Sequence, residues 1–307
     1  MATLQQTERE VTINAPWGKI AALTWGEPTN PPVLLCPGRI VPCSCFRPLI
    51  LKLPSSFFYV AMDFPGNGLS DHFPKGLRYT IYDLVHSVLR VSEHYKWKNF
   101  VYIGHSLGTA VGKHFNMAYP GRISRIVDLD PVPAYHTINP EKYEAWYKEI
   151  YDTHYQDKEY KIHTSGKETA PKYTYEQIRK MIMNAQIISE EAANQVIDRY
   201  AEPAGDGLYR FTYDQRMKHT YKLLLTPENL RQMYTRSSTP TLTILAQSSI
   251  DHGAYRYVPF VMDEKAWIHG NYKYIIVEGH HDVHLENPDC MAGDISKFLL
   301  EEIKAKL

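Results

Sequence analysis

At 307 residues, with 44% hydrophobic and 22% charged side chains, the chain carries enough apolar material for a large core and falls outside the disordered class. Its 34 basic residues balance 34 acidic ones, which removes the positive field of a nucleic-acid or anionic-membrane binder and leaves a small molecule as the expected partner. Neither a run of about eighteen apolar residues nor a basic-then-apolar leader occurs, so an intracellular protein with no integral membrane segment is expected.

The length fits one core with an inserted piece. Residues 9–25 alternate apolar and polar positions around Ala15-Pro16-Trp17-Gly18, predicting an antiparallel hairpin at a sheet edge. Three short, nearly all-apolar runs follow at 33–36, 57–62 and 100–104, the pattern of strands covered on both faces in a parallel sheet. Between the last two, Ile81, Leu84, Val85, Val88, Leu89 and Val91 recur at helical spacing behind the cap candidate Thr80, completing a βαβ unit. Leu107, Ala110, Val111, Phe115 and Ala118 predict a second helix, stopped at Pro120-Gly121, with a strand at Ile123 to Leu129.

From 131 to about 235 the pattern becomes tyrosine- and lysine-rich and helical, predicting a lid inserted between core segments 1–130 and 236–307. Strands are expected again at 241–247 and 272–279, and a closing helix at about 289–304. Cys36, Cys43, Cys45 and Cys290 lack zinc-site spacing, so free thiols and no metal are expected.

Gly104-His105-Ser106-Leu107-Gly108 matches G-x-S-x-G, in which glycines let a strand turn sharply into a helix and hold a nucleophilic serine in a strained, exposed conformation. A buried-type strand enters the motif and an amphipathic helix leaves it. The serine needs a histidine base, and His280, His281 and His284 follow the last strand. Two aspartates end strands where the acid of a triad belongs: Asp130 and, as the alternative, Asp251; Asp128 points to the same side as Asp130 but deeper. The backbone N–H of Leu107, with a second from Arg39 in the loop Cys36-Pro37-Gly38-Arg39, supplies a candidate oxyanion hole. Gly38 and His105 flank the expected substrate site. Tyr143, Trp146, Tyr147 and Tyr151 share one helical face, which either packs on the core or lines a partly apolar pocket.

With these residues assembled, the chain resembles the serine hydrolase-like (kraken-like) family of the α/β-hydrolase fold. The likeness is carried by APWGKIAALTWG at 15–26, FYVAMDFPGNGLSDH at 58–72, VYIGHSLGTAVG at 101–112 and VEGHHDVHLENP at 277–288. It implies a mostly parallel eight-stranded sheet with helices on both faces and an inserted helical lid. It selects His281, two residues beyond Gly279, as the base, and places an aspartate at 130. Pro37 departs from the histidine usual in that loop. The implied reaction is cleavage of a carboxylic ester or thioester of a small, partly apolar substrate through an acyl-enzyme on Ser106, with no cofactor. A catalytically weak or inactive ligand-binding protein of the same fold is the alternative. Ala305-Lys306-Leu307 approximates the Ser-Lys-Leu address read by the peroxisomal import receptor, so a cytoplasmic or peroxisomal location is expected; the same residues also fit the frayed end of a charged helix.

Overall fold

In the computed structural model of the protein, residues 4–219 and 224–301 are described; the Ala305-Lys306-Leu307 tripeptide lies outside them. In chain order the strands are β1 (Arg9–Ala15), β2 (Gly18–Trp25), β3 (Pro32–Cys36), β4 (Phe58–Met62), β5 (Phe100–His105), β6 (Ile123–Leu129), β7 (Ala201–Gly205), β8 (Leu208–Phe211), β9 (Thr241–Ala246) and β10 (Tyr272–Val277). Eight of them form one sheet in the order β1-β2-β4-β3-β5-β6-β9-β10. The β1–β2 hairpin, closed at Ala15 opposite Gly18, sits at the edge and joins β4 antiparallel; the remaining pairs are parallel. This is the mostly parallel eight-stranded sheet that the apolar runs and the resemblance implied.

Those runs are apolar throughout because both faces are covered. On β3, Val33 and Leu35 enter one core, with the Glu190–Tyr200 and Asp289–Leu300 helices. Leu34 and Cys36, one residue out of phase, enter the other, against the Ile81–His94 and Leu107–Ala118 helices. Thr80 caps the first of these through a reciprocal bond with Asp83. The closing helix is Asp289–Leu300. Cys36, Cys43 and Cys45 are buried and all four cysteines are free. No described helix is long and apolar enough to cross a membrane.

β6 and β9 are neighbours, with Ile126 opposite Thr241, so the chain between them leaves the sheet and returns beside its starting point. This excursion contains helices at Tyr175–Gln186 and Glu190–Tyr200, separated where Ile187 turns left-handed and Ser189 caps the next helix. It also contains the antiparallel hairpin β7–β8, which corrects the all-helical expectation for this stretch. Gly205, the last residue of β7, and Asp206 and Gly207 after it all take positive φ, the turn chemistry a Gly-Asp-Gly sequence favours.

Candidate active site

β5 ends at His105 and the next helix begins at Leu107, leaving Ser106 as the one-residue corner at φ 52 and ψ −116. A serine there is strained, and the surroundings hold it: its N–H donates to Leu129 O at 3.1 Å, and its carbonyl accepts from Thr109 Oγ1 at 2.6 Å. The flanking glycines are required by close approach. A Cβ on Gly108 would lie 2.2 Å from Cys36 O, and one on Gly104 would lie 2.7 Å from Thr109 N. The corner thus brings Ser106 against the loop after β3, where a Cβ on Gly38 would stand 3.2 Å from the Ser106 Cβ. In that loop Ile40 adopts φ 58, a conformation costly for a β-branched residue, worth about 1–3 kcal/mol. The N–H groups of Leu107, at the first helical position, and of Arg39 make no hydrogen bond among the described residues.

His281 stands on the loop after β10, and its Nδ1 lies 2.5 Å from Asp130 Oδ2. Asp130 ends β6, buried, at φ 41, with its N–H on Ile244 O of β9. Its carboxylate accepts three further bonds: Oδ1 from Tyr255 Oη at 2.9 Å and Ala246 N at 2.9 Å, and Oδ2 from Ser249 Oγ at 2.5 Å. Burial pulls the His281 pKa down, but the Asp130 hydrogen bond and the nearby Asp282 and Asp130 charges outweigh it, leaving the ring more basic than an ordinary histidine. The second aspartate does not meet this histidine: Asp251 lies on the exposed end of the Gln247–Asp251 helix and accepts from Gln247 Nε2. Asp128 is buried and paired with Lys113 at 2.9 Å. The Ser106 Oγ has no hydrogen-bond partner among the described residues.

Three residues that the sequence placed at the substrate site lie elsewhere. His105, placed at the substrate site by sequence, is 1% exposed, and its Nε2 donates to the His281 carbonyl at 3.0 Å. It faces the interior because a strand that points Ser106 outward points its neighbour inward. Tyr143 and Tyr147 are exposed on the excursion, stacking on each other and on Trp146 and Tyr151 rather than lining the cavity beside His281. Trp146 reaches that cavity only through His136, whose ring it stacks on.

The cavity has a volume of about 630 Å³ and is lined by Asp130 and His281 together with Pro131, Tyr135, Pro227 and Tyr257, among others. Sequence reasoning missed Ser249 and Tyr255. No local motif marks them, since their role arises only when the chain after β9 folds back over the end of β6.

The chain resembles known proteins over nearly its whole length. A serine hydrolase-like protein of Danio rerio is 28% identical over 97% of this chain and 90% of its own. Human serine hydrolase-like protein 2 is 29% identical over 94% and 93%. Among solved structures, a hypothetical protein from Pseudomonas aeruginosa superposes with a TM-score of 0.77 at 26% identity, covering 95% of this chain and 98% of that one. The thioesterase domain from the curacin biosynthetic pathway, at 17% identity, shares the fold with a TM-score of 0.73 over 94% and 99%. The model of the alpha/beta hydrolase fold family matches residues 31–288, spanning the elbow, Asp130 and His281, and the chain belongs to that family.

Proposed function

We propose that the protein is a serine hydrolase that cleaves a carboxylic ester or thioester through an acyl-enzyme on Ser106. The observation that carries this reading is the buried Asp130 carboxylate, held by three other donors and bonded to His281 Nδ1, beside a left-handed serine at a strand-to-helix corner. With Nδ1–H committed to Asp130, the free tautomer of His281 presents a lone pair on Nε2, the atom a general base uses. In this reading the Ser106 hydroxyl donates to that lone pair. His281 takes the proton as Oγ attacks the acyl carbon, and the Leu107 and Arg39 N–H groups receive the oxyanion. Collapse expels the alcohol or thiol with the proton from His281; water then attacks the acyl-enzyme by the same route and releases the acid.

The cavity beside His281 is walled by prolines and tyrosines, which supports a substrate that is partly apolar and carries hydrogen-bonding groups. In this reading the 131–235 excursion serves as the lid over that cavity. The serine hydrolase-like names of the relatives agree with a hydrolase.

The test is hydrolysis of short and long p-nitrophenyl esters by wild type, Ser106→Ala and His281→Ala. A burst of p-nitrophenol equal to the enzyme present, with turnover at least about 10³-fold lower in both variants, is expected. Turnover that survives in Ser106→Ala contradicts the assignment.

A further inference from the structure

Against His281 lies a second group of polar side chains that the proposed reaction does not use. The His105 and His284 rings are 4.1 Å apart and tilted by 39°, and His105 also packs on His281 at 4.7 Å. Asp282 completes the group. One ligating atom of each of His105, Asp282 and His284 lies within 4.8 Å of the others. The three residues are 1%, 6% and 1% exposed.

Four of their polar atoms have no hydrogen-bond partner among the described residues: His105 Nδ1, Asp282 Oδ1 and both ring nitrogens of His284. Each such orphan costs about 1–3 kcal/mol unless something fills the space between them. A buried water and a cation are the two candidates, and the number of lone pairs decides between them. No Lys or Arg pairs with Asp282 among the described residues, and the His281 Nδ1 bonds Asp130 instead. The His105 Nε2 stands 3.9 Å from Asp282 Oδ1 but directs its proton to the His281 carbonyl. Asp282 Oδ1, His105 Nδ1 and one ring nitrogen of His284 offer three lone pairs; a single water donates to two, whereas a cation accepts all three.

We infer that His105, Asp282 and His284 form a binding site for a divalent transition-metal ion of the zinc class. Two imidazoles and one carboxylate are the donor set such ions take, with water at the fourth position. Tetrahedral donors at bond lengths of about 2.0–2.1 Å lie about 3.4 Å apart, so the side chains close inward by about an ångström on binding. His105 either ligates through its free Nδ1 or releases the His281 carbonyl. Binding does not depend on the proposed hydrolysis. Its consequence does: a positive charge beside His281 opposes the imidazolium formed as Ser106 is deprotonated, so the loaded enzyme turns over more slowly.

The test uses the full chain stripped with chelator and titrated with Co²⁺, read by the strong visible d–d absorption of a tetrahedral ion and by metal content after dialysis. One equivalent in wild type, bound at least about 10-fold more weakly by folded His284→Gln and Asp282→Asn, supports the site. Equal uptake by wild type and variants would assign the metal to surface histidines and overturn it. Should a variant fail to fold, wild type decides alone, since absence of the tetrahedral band at one equivalent overturns the proposal. At least 10-fold slower p-nitrophenyl ester hydrolysis by the Zn²⁺-loaded protein is expected, with recovery by chelator. Unchanged turnover in loaded protein refutes the inhibitory consequence, whereas no hydrolysis by stripped protein refutes the proposed function and leaves the site standing.

Discussion

Asp130 shows how a single side chain is specified by residues distant in sequence. Its four donors come from β9, the segment after it and the loop after β10, so the carboxylate is fixed in place as well as desolvated. Replacing it by Asn removes the charge that makes His281 more basic. The ascending limb of the pH–rate profile, which follows loss of the His281 proton, therefore moves to lower pH in Asp130→Asn while kcat falls by about 10²–10⁴-fold. Asp251→Asn, on the exposed helix, leaves kcat within about 2-fold. Kinetics of the two variants on one ester, in chelator-treated protein from pH 5 to 9, separate these outcomes. Ser106 was legible from a motif with a mechanical reason for each glycine, and His281 from its distance to Gly279. Asp130 was the preferred acid and Asp251 its alternative, with the resemblance placing an aspartate at 130; local sequence separates them weakly, because both follow apolar strands. The contact of Asp130 with His281 comes from the β6–β9 pairing and the fold-back of Ser249 and Tyr255, neither of which has a local signature.

At the scale of elements, the excursion between β6 and β9 is tied to the sheet by buried charge. Arg199, on the Glu190–Tyr200 helix, is 1% exposed and bonds Asp63 at the end of β4 through Nε and Nη2, at 3.1 and 2.5 Å; Nη1 bonds Glu10 of β1 at 2.7 Å. Asp63 also accepts from the N–H groups of Cys43 and Leu69. Arg199→Met strands this carboxylate in the core and should cost about 3–5 kcal/mol in urea unfolding, with Asp63→Asn recovering part of the loss in the double variant.

A second tie is Asp214, buried after β8 and bonded to Arg216, Tyr79 and His72. Burial pushes its pKa up, but His72 and Arg216 more than reverse this and hold the carboxyl well below the usual range. Because the folded value is depressed, the stabilisation is fully present above the unfolded carboxylate value of about 3.9 and is lost as pH falls through the folded value. The stability gap between wild type and Asp214→Asn, about 3–5 kcal/mol at neutral pH, should therefore shrink below about pH 4 in denaturant titrations. Periodicity located the helices of this region but missed the β7–β8 hairpin, whose short strands carry Pro203 and half-buried residues in place of clean alternation.

For the whole molecule, the sequence was most readable where burial is most complete. The central strands are apolar on both faces, so β3, β4, β5, β6 and β9 announced themselves and their parallel pairing. Strand order was not read from the sequence, since composition says nothing about which strands are neighbours. The order matters to function: it sets the corner at Ser106, the oxyanion-loop candidates Gly38 and Arg39, and the end of β6 along one edge of the sheet.

Activation of Ser106 as a nucleophile by His281 is tested most directly by reaction of the purified protein with a fluorophosphonate, read by intact mass and by the modified peptide. One adduct per chain is expected, on Ser106, absent in Ser106→Ala and formed at least about 10²-fold more slowly in His281→Ala. A folded wild-type protein that stays unlabelled, or that is labelled on another residue, would contradict it.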